Sequence, residues 1–516
     1  MKPRIEIRAH ILAFAVISAL VLFWPLLGQP LILDDVDILA IMSGDNHAPV
    51  SAVFMNLLGR LTLPHHFRPL AAPIYLAFNT IFGPTPFPLR VAIVLFNLGA
   101  AIGIFHVAKS LSGREGVGFF ASAFYALSWI HWDCVAVAAN MPQAVAHALF
   151  WQSLWMFVRE DGDWGMIKAV RSFIPVTVAL LFKEDVIVFP VFVLAVSLFV
   201  PHLRLRLERL CLVFGIWVIA YCSLRLVLPN SFTSTESYLK FNLAGMLNVK
   251  SYTRGYSLLL DSWVGILPPT ESLSRFVEVW RADSGLTVWV AAVLVLGACL
   301  GRFAWEYSLA RTDEGLNQGK IAAIALLSLA GSVASIMTYA VFDAVHSWNS
   351  HRFLIAWGAL SVGLGSVVYP LCRLLALRRR WIQSIFIGFG ACLLLKTAIV
   401  YRFPDANIAA FSRLYLLYET RQRIPRIHEA ITSRSTLGDE LVFEGFDPML
   451  RVPQHLQLLE KKLLNVRVSG TGPAPYPIRG LYIRSQTAPG QVSLTITRFP
   501  GETQMQYVWP RKPYLL

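Results

Sequence analysis

The sequence has few charged residues, and none of its cysteines lies in a segment that would face water. Asp, Glu, Lys and Arg make up 15% of the 516 residues, against about 25% in soluble globular proteins. The six cysteines stand singly in apolar segments without metal-ligand spacing, so the sequence indicates neither a disulfide framework nor a metal centre built from thiols. These shortages exclude a soluble enzyme, a disordered chain and a nucleic-acid-binding domain as the main interpretation.

Long runs of apolar residues make up much of the chain. Hydrophobic residues make up 56% of the chain, and apolar runs recur between residues 9 and 401. A helix needs about 20 apolar residues to cross a hydrocarbon core of about 30 Å. The runs predict an all-α polytopic membrane bundle of eleven spans, near residues 9–27, 87–110, 117–134, 141–158, 168–183, 186–201, 209–228, 286–303, 320–341, 352–374 and 381–401.

The basic residues predict how these spans are oriented. The net charge is +14, and Lys and Arg concentrate in loops at alternate ends of the spans. Cytoplasmic loops of membrane proteins are rich in Lys and Arg. Residues 204–209 and 373–380 are basic inner segments, whereas the outer turn 135–140 has no positive charge. The N-terminus is therefore predicted inside and the C-terminus outside.

This count requires that residues 68–82 do not cross the membrane. The segment has about 15 residues, too few for a comfortable span, and the breaker run Gly83-Pro84-Thr85-Pro86 follows it. An arginine at its start and Tyr75 within it are typical of a helix that lies at the outer interface.

The chain divides into two predicted domains. Residues 1–401 form the transmembrane domain, with an outer loop over residues 28–86. Residues 402–516 are polar enough to form a small soluble α+β domain outside the membrane. Strands are predicted at 441–446, 465–470, 480–485 and 492–499, because alternating runs there are separated by Pro- and Gly-rich turns. We expect this domain to cover the site, to help select an acceptor, or to serve as a stabilising cap.

Inserting a charged side chain at membrane depth costs roughly 2.5–3.5 kcal/mol, so a charged residue there is expected to have a structural or functional role. Asp34 and Asp35 directly follow the first span. One Asp would cap the next helix, whereas two adjacent carboxylates raise the pKa of one of them, which suits a general base or a cation ligand. Lys183 and Glu184 interrupt an apolar stretch, either as an ordinary turn or as a place where a cation meets a phosphate.

Further ionisable residues fall at the same predicted outer face. Each has an ordinary alternative, such as a structural histidine near a helix end or an arginine that extends to the interface. Together they would provide cations for phosphate and a carboxylate to activate a hydroxyl. They are Arg68, Asp133, Arg225, His351 and Arg352.

The order of these features resembles the membrane-embedded C-type glycosyltransferases that use polyprenyl-phosphate sugars, which include protein O-mannosyltransferases and lipid A aminoarabinose transferases. The resemblance covers residues 9–230, with a weaker echo in HRFLIAWGALSVGLG. This chain departs from the family pattern in two respects. Many relatives have Asp-Glu in place of Asp34-Asp35, and some relatives have a tetratricopeptide tail that this chain lacks. The matching segments are Asp34-Asp35, FRPLAAPIYLAFNTIFG, SGREGVGFFASAFYALS and ALLFKEDVIVFP.

The resemblance implies an inverting transfer at the outer face. The donor would be a polyprenyl-phosphate sugar and the acceptor a hydroxyl of a protein, lipid or glycan. It implies Asp34 as the base, with Asp35 to orient or tune it, while Lys183, Arg68 and Arg225 are candidates for the lipid phosphate. Some members use a divalent cation and others do not, so a metal requirement stays open.

Two other classes stay open at this point. One is a transporter or flippase of lipid-linked glycan precursors, and the other is a surface-glycan polymerase or ligase that uses a diphosphate carrier. The chain is expected to bind membrane lipids and no nucleic acid. Residues 28–86, 231–285 and 402–516 contain no cysteine and no Asn-x-Ser/Thr site, which favours a bacterial inner membrane.

Overall fold

The structure, a computed structural model, consists of a helical bundle and a four-stranded sheet. It describes residues 23, 26, 27, 68–83, 85–128, 130–159, 166–198, 207–227, 252, 318–340 and 353–375, and the strands at 440–444, 466–469, 480–484 and 493–496. The helices are α1 (Ala71–Phe82), α2 (Pro86–Ser112), α3 (Glu115–Ala126), α4 (Ile130–Ala136), α5 (Met141–Val158), α6 (Met166–Phe182), α7 (Phe189–Ser197), α8 (Leu207–Val227), α9 (Gln318–Ala340) and α10 (Leu354–Leu375). Short 3₁₀ helices lie at Ala138–Asn140 and Glu184–Val188.

Proline and glycine set several helix ends. Pro86 begins α2, where its missing N–H costs nothing because the first N–H groups of a helix have no partner in the helix. Gly113 follows the same helix with φ of +72°, a left-handed conformation that favours glycine, and its N–H donates to the carbonyl of Lys109. The sequence thus defines both ends of the longest described helix.

Most described helices coincide with predicted spans. Helices α2, α5, α6, α8, α9 and α10 lie at the runs near 87–110, 141–158, 168–183, 209–228, 320–341 and 352–374. The runs 286–303 and 381–401 lie outside the described residues, and only residues 23, 26 and 27 of the first run are described. Among the described helices, α2 alone is both long enough and apolar enough throughout to cross a membrane.

Two predicted spans differ from the structure. The run 117–134 is not one helix, because α3 ends at Ala126 and α4 begins at Ile130. The side chain of Ser128 accepts a hydrogen bond from the backbone N–H of Ile130, which replaces a helical bond at the break. The run 186–201 begins with the 3₁₀ helix, so its α-helix, α7, covers only Phe189–Ser197.

Trp151 of α5 joins three helices in the core. Its side chain is fully buried, and it lies between Gly103 of α2 and Gly358 of α10. A Cβ atom at Gly103 would lie 2.7 Å from the Trp151 Cβ, and one at Gly358 would lie 2.3 Å from its indole ring. The close approach of these helices therefore requires glycine at both positions.

We expect Gly103→Ala to lower the free energy of unfolding by about 1–3 kcal/mol, because the added methyl group would meet Trp151 backbone as well as side chain. Gly215 of α8 provides the matched control, since a Cβ there meets nothing within 4 Å. Gly215→Ala should be neutral or stabilising by up to about 1 kcal/mol. Denaturant unfolding in detergent measures both; equal effects of the two variants would contradict this packing.

Several short elements gather at one end of the bundle. Helices α2 and α5 lie side by side, and Gly99 and Gly103 of α2 approach residues 148 and 151–152 of α5 in the same order, so the two helices are parallel. Their first residues are therefore at the same end. The 3₁₀ helix Ala138–Asn140 leads directly into α5 and contacts α2. The turn that follows α6 also contacts α5.

The four strands form one sheet in the order β2-β1-β3-β4. Strand β1 (Glu440–Glu444) pairs parallel with β2 (Val466–Ser469) and antiparallel with β3 (Gly480–Arg484), which pairs antiparallel with β4 (Ser493–Ile496). All four lie at the alternating runs that predicted them. The boundary at residue 402 lies outside the described residues.

Candidate functional site: a charged turn at one end of the bundle

Three consecutive ionisable residues, Lys183, Glu184 and Asp185, form the turn between α6 and α7. The backbone of Lys183 is extended, with φ of −156° and ψ of 129°, and its N–H donates to the carbonyl of Ala179. This residue therefore ends α6. The 3₁₀ helix that follows directs Glu184 and Asp185 toward different neighbours.

Glu184 binds Arg68, which lies just before α1. The Nε of Arg68 donates to Oε2 of Glu184 at 3.1 Å, and Nη2 donates to Oε1 at 2.9 Å. Two parallel bonds of this kind fix the orientation of both groups. The side chains are 17% and 29% exposed, so the pair is screened only in part from solvent. The structure thus brings together two residues that the sequence assigned to one face.

Two further hydrogen bonds hold α1 across this end of the bundle. The N–H of Leu70 donates to the carbonyl of Leu181 at 3.4 Å, and the hydroxyl of Tyr75 donates to the carbonyl of Ala139. Ile81 and Phe82, at the far end of α1, are exposed. This short helix therefore contacts the turns at one end of the bundle, and its position at the membrane interface stays a prediction.

Asp185 binds His147 in the interior. Its Oδ2 lies 3.0 Å from Nε2 of His147, and the side chains are 4% and 0% exposed. Burial raises the pKa of Asp185, but the charge and hydrogen bond of His147 and the charge of Lys183 outweigh burial, so the pKa is lowered overall. Asp185 is therefore a carboxylate at neutral pH.

His147 and Asp185 are not among the site residues predicted from the sequence. The available signal was a histidine in the middle of an apolar span, since an ionisable residue at that depth needs a partner. Tyr125 and His131 lie nearby: their rings are 4.6 Å apart in an edge arrangement, and both interact electrostatically with members of the His147–Asp185 pair. Buried polar side chains therefore lie next to the charged turn in the interior of the bundle.

Lys183 is only 7% exposed and directly precedes both carboxylates, Glu184 and Asp185, in the sequence. Its ammonium is close enough to Asp185 to lower the pKa of that carboxyl group. The described part of the site therefore contains two cations, Arg68 and Lys183, and two carboxylates. Glu184 hydrogen bonds to Arg68, just before α1, and Asp185 hydrogen bonds to His147 in α5.

The remaining predicted site residues divide into two groups. The backbone of Asp133 lies in α4, and that of Arg225 lies in the last turn of α8, where the sequence placed them. Asp34, Asp35, His351 and Arg352 lie outside the described residues. Within the described ranges, no group of three or more His, Cys, Asp or Glu side chains is arranged to hold a metal ion.

Breaking the Arg68–Glu184 pair is expected to destabilise the attachment of α1. Arg68→Ala or Glu184→Ala should lower the free energy of unfolding by about 1–2 kcal/mol, between the values for exposed and buried pairs. The exchanged variant, Arg68→Glu with Glu184→Arg, should recover part of the loss. Denaturant unfolding in detergent micelles tests this; a double variant as unstable as the sum of the single variants would contradict a specific pair.

No protein-family model and no curated protein matches the chain. Solved structures do match. The crystal structure of ArnT from Cupriavidus metallidurans bound to undecaprenyl phosphate matches with a TM-score of 0.39 and 17% identity, over 90% of this chain and 86% of that chain. The apo structure of the same protein matches with a TM-score of 0.36 and 14% identity, over 90% and 87%.

A likeness at this TM-score and identity assigns neither substrate nor mechanism to this chain. The chemistry of the site therefore has to be argued from its own residues.

Proposed function

We propose that the chain is a multi-pass membrane glycosyltransferase that moves a sugar from a polyprenyl-phosphate donor to an acceptor hydroxyl, with inversion at the anomeric carbon. The observation that carries this proposal is the ion pair between Arg68 and Glu184 beside the nearly buried Lys183. It joins the start of α1 to the turn after α6 and so supports a site in which Arg68 and Lys183 meet an anionic lipid headgroup.

In the proposed reaction, the acceptor hydroxyl attacks the anomeric carbon of the donor. The bond from that carbon to the phosphate oxygen breaks, and polyprenyl phosphate leaves with the electron pair. Asp34 accepts the hydroxyl proton, and Asp35 orients or tunes Asp34. Lys183, Arg68 and Arg225 offset the charge of the departing phosphate, because charge-assisted contacts strengthen as the leaving group becomes more anionic.

The other proposed substrate contacts come from Asp133, Glu184, His351 and Arg352. On the sequence, all of them lie at outer ends of spans, as an acceptor delivered from outside would need. In this proposal, the protein lies in a bacterial inner membrane, and residues 402–516 form an extracytoplasmic domain. The acceptor is a protein, a lipid or a glycan.

A transporter or flippase of lipid-linked precursors is the rival class. Such proteins are commonly built from paired repeats with broken helices at matching positions and with binding groups near mid-membrane. The sequence of residues 1–230 does not recur in residues 231–401. The ion pair of Arg68 and Glu184 lies at an end of the bundle, which favours a transferase that works at the membrane surface.

The decisive experiment offers the purified protein two donor classes, polyprenyl-phosphate sugars and polyprenyl-diphosphate sugars, and measures released carrier and glycosylated acceptor. We expect turnover with the monophosphate donors alone. Turnover only with diphosphate donors would identify a polymerase or ligase. Movement of intact donor across proteoliposomes without bond cleavage would identify a flippase.

A further inference from the structure

Arg90 is a fully buried arginine near the start of α2. It lies four residues after Pro86, the first residue of the helix, and its side chain is 0% exposed. Burying a charge is costly even where hydrogen bonds replace part of the lost hydration. Apolar residues of similar volume often stabilise a protein as well as buried charged groups do. Stability alone is therefore a weak reason for an arginine at this position.

One partner of Arg90 is the main chain at the end of the first span, which the sequence predicts near residues 9–27. The Nη1 of Arg90 donates to the carbonyl oxygen of Leu26 at 2.9 Å. Leu26 is helical, and a helical carbonyl accepts from the N–H of the residue four positions further on. That residue is Pro30, which has no N–H. Arg90 therefore supplies a donor that the sequence of the first span cannot provide.

Two neighbouring residues of the first span are packed at the same place. Phe23 and Leu27 are 1% and 2% exposed. The ring of Phe23 lies 6.3 Å from the ring of His131 in an edge arrangement. His131 is itself held, because its Nε2 lies 2.7 Å from the carbonyl oxygen of Tyr125. The end of the first span therefore contacts both α2 and α4.

These contacts lie at the end of the bundle that also holds the charged turn. Arg90 is in the second turn of α2, and His147, which binds Asp185, is in the second turn of the parallel helix α5. Asp34 follows Leu26 by eight residues, and a chain of that length spans at most about 29 Å. The position of Leu26 therefore limits where the proposed base can lie.

We infer that Arg90 is a positioning residue, which fixes the end of the first span and thereby positions the segment that carries Asp34 for sugar transfer. This inference rests on the proposed function for the role of Asp34. Arg90 acts through the main chain of Leu26. A displacement of a reacting group by about 1 Å can cost about 10²-fold in rate, so loss of this anchor should lower kcat. Binding of the lipid phosphate, which is assigned to other residues, should change little.

The first measurement is hydrogen exchange of the amides of residues 28–40 in the purified full chain, which does not depend on activity. Exchange in Arg90→Met should be about 10-fold faster than in the wild type, the lower range for loss of a hydrogen bond from a charged group. Arg90→Lys keeps a cationic N–H donor and should stay within about 3-fold of the wild type. Asn97→Leu removes another buried polar side chain of α2 and should leave exchange unchanged.

The second measurement is turnover with a polyprenyl-phosphate sugar. Arg90→Met should lower kcat by about 10- to 100-fold and leave binding of polyprenyl phosphate, the carrier without sugar, within about 3-fold of the wild type. Arg90→Lys should recover most of the loss in kcat, and Asn97→Leu should turn over normally. A purely structural role predicts a different result, in which carrier binding and kcat fall together.

The inference is overturned if residues 28–40 of folded Arg90→Met exchange as slowly as in the wild type, if exchange becomes faster without a fall in kcat, or if carrier binding falls as far as kcat. If Arg90→Met does not fold, Arg90→Gln, which is shorter and uncharged, replaces it under the same criteria. A wild type that binds the carrier but transfers no sugar would end the proposed function. The exchange measurement would then still decide whether Arg90 fixes this segment.

Discussion

Replacing Asp34 by Asn is expected to abolish sugar transfer while leaving expression and folding intact. An amide of the same shape cannot accept the proton of the acceptor hydroxyl, and loss of a general base costs about 10²- to 10⁴-fold in rate. The measurement is single-turnover transfer from a polyprenyl-phosphate donor to acceptor, with carrier binding measured on the same preparation to show that the protein is folded.

Asp37→Asn is the matched control for Asp34→Asn. Asp37 lies three residues further along the same segment and lies outside the proposed catalytic pair. It should keep near-normal transfer. Normal transfer by Asp34→Asn would remove the proposed mechanism, whereas equal loss in both variants would assign the effect to the fold of the loop.

Lys183→Ala is expected to weaken use of the donor by about 10- to 100-fold, the value of one charge-assisted contact to a phosphate. The effect should appear in the KM for the donor and in carrier binding. Lys183 is a stronger candidate than Arg225 for binding the lipid phosphate, because an arginine in the last turn of α8 can instead extend to the membrane interface.

Lys109 offers a matched control at the other end of α2. Its ammonium pairs with Glu115, and it lies about 35 Å along α2 from Pro86, the first residue of the helix. Lys109→Ala should leave donor use unchanged. If Lys183→Ala also left donor dependence unchanged, the assignment of Lys183 to the lipid phosphate would be wrong.

The sequence predicted the helices well where an apolar run is bounded by a breaker or a charge. The run at 141–158 coincides with α5 because Pro142 marks its start and Arg159 follows its end. The run at 117–134 was misinterpreted because its apolar residues continue through the break. Only Ser128 signals the interruption, and a serine is tolerated inside many helices, so composition alone could not locate it.

The charged turn was visible in the sequence, but its partners were not. Lys183 and Glu184 stand out because they interrupt apolar residues, and Arg68 stands out because it begins a short helix. Glu184 pairs with Arg68, 116 residues earlier, because of how the helices assemble. The same holds for His147 and Asp185, whose pairing is set by the packing of α5 against the turn and by no local pattern.

Trp151 has a consequence for how this protein can move. Gly103 of α2 meets the Cβ and backbone of Trp151, and Gly358 of α10 meets its indole ring, so α2 and α10 both pack closely against α5 at this residue. Interfaces packed this closely do not deform continuously, so sliding α2 or α10 along α5 would first require the contacts at Gly103 or Gly358 to be lost. We therefore expect α2, α5 and α10 to move as one unit when a lipid substrate enters or leaves.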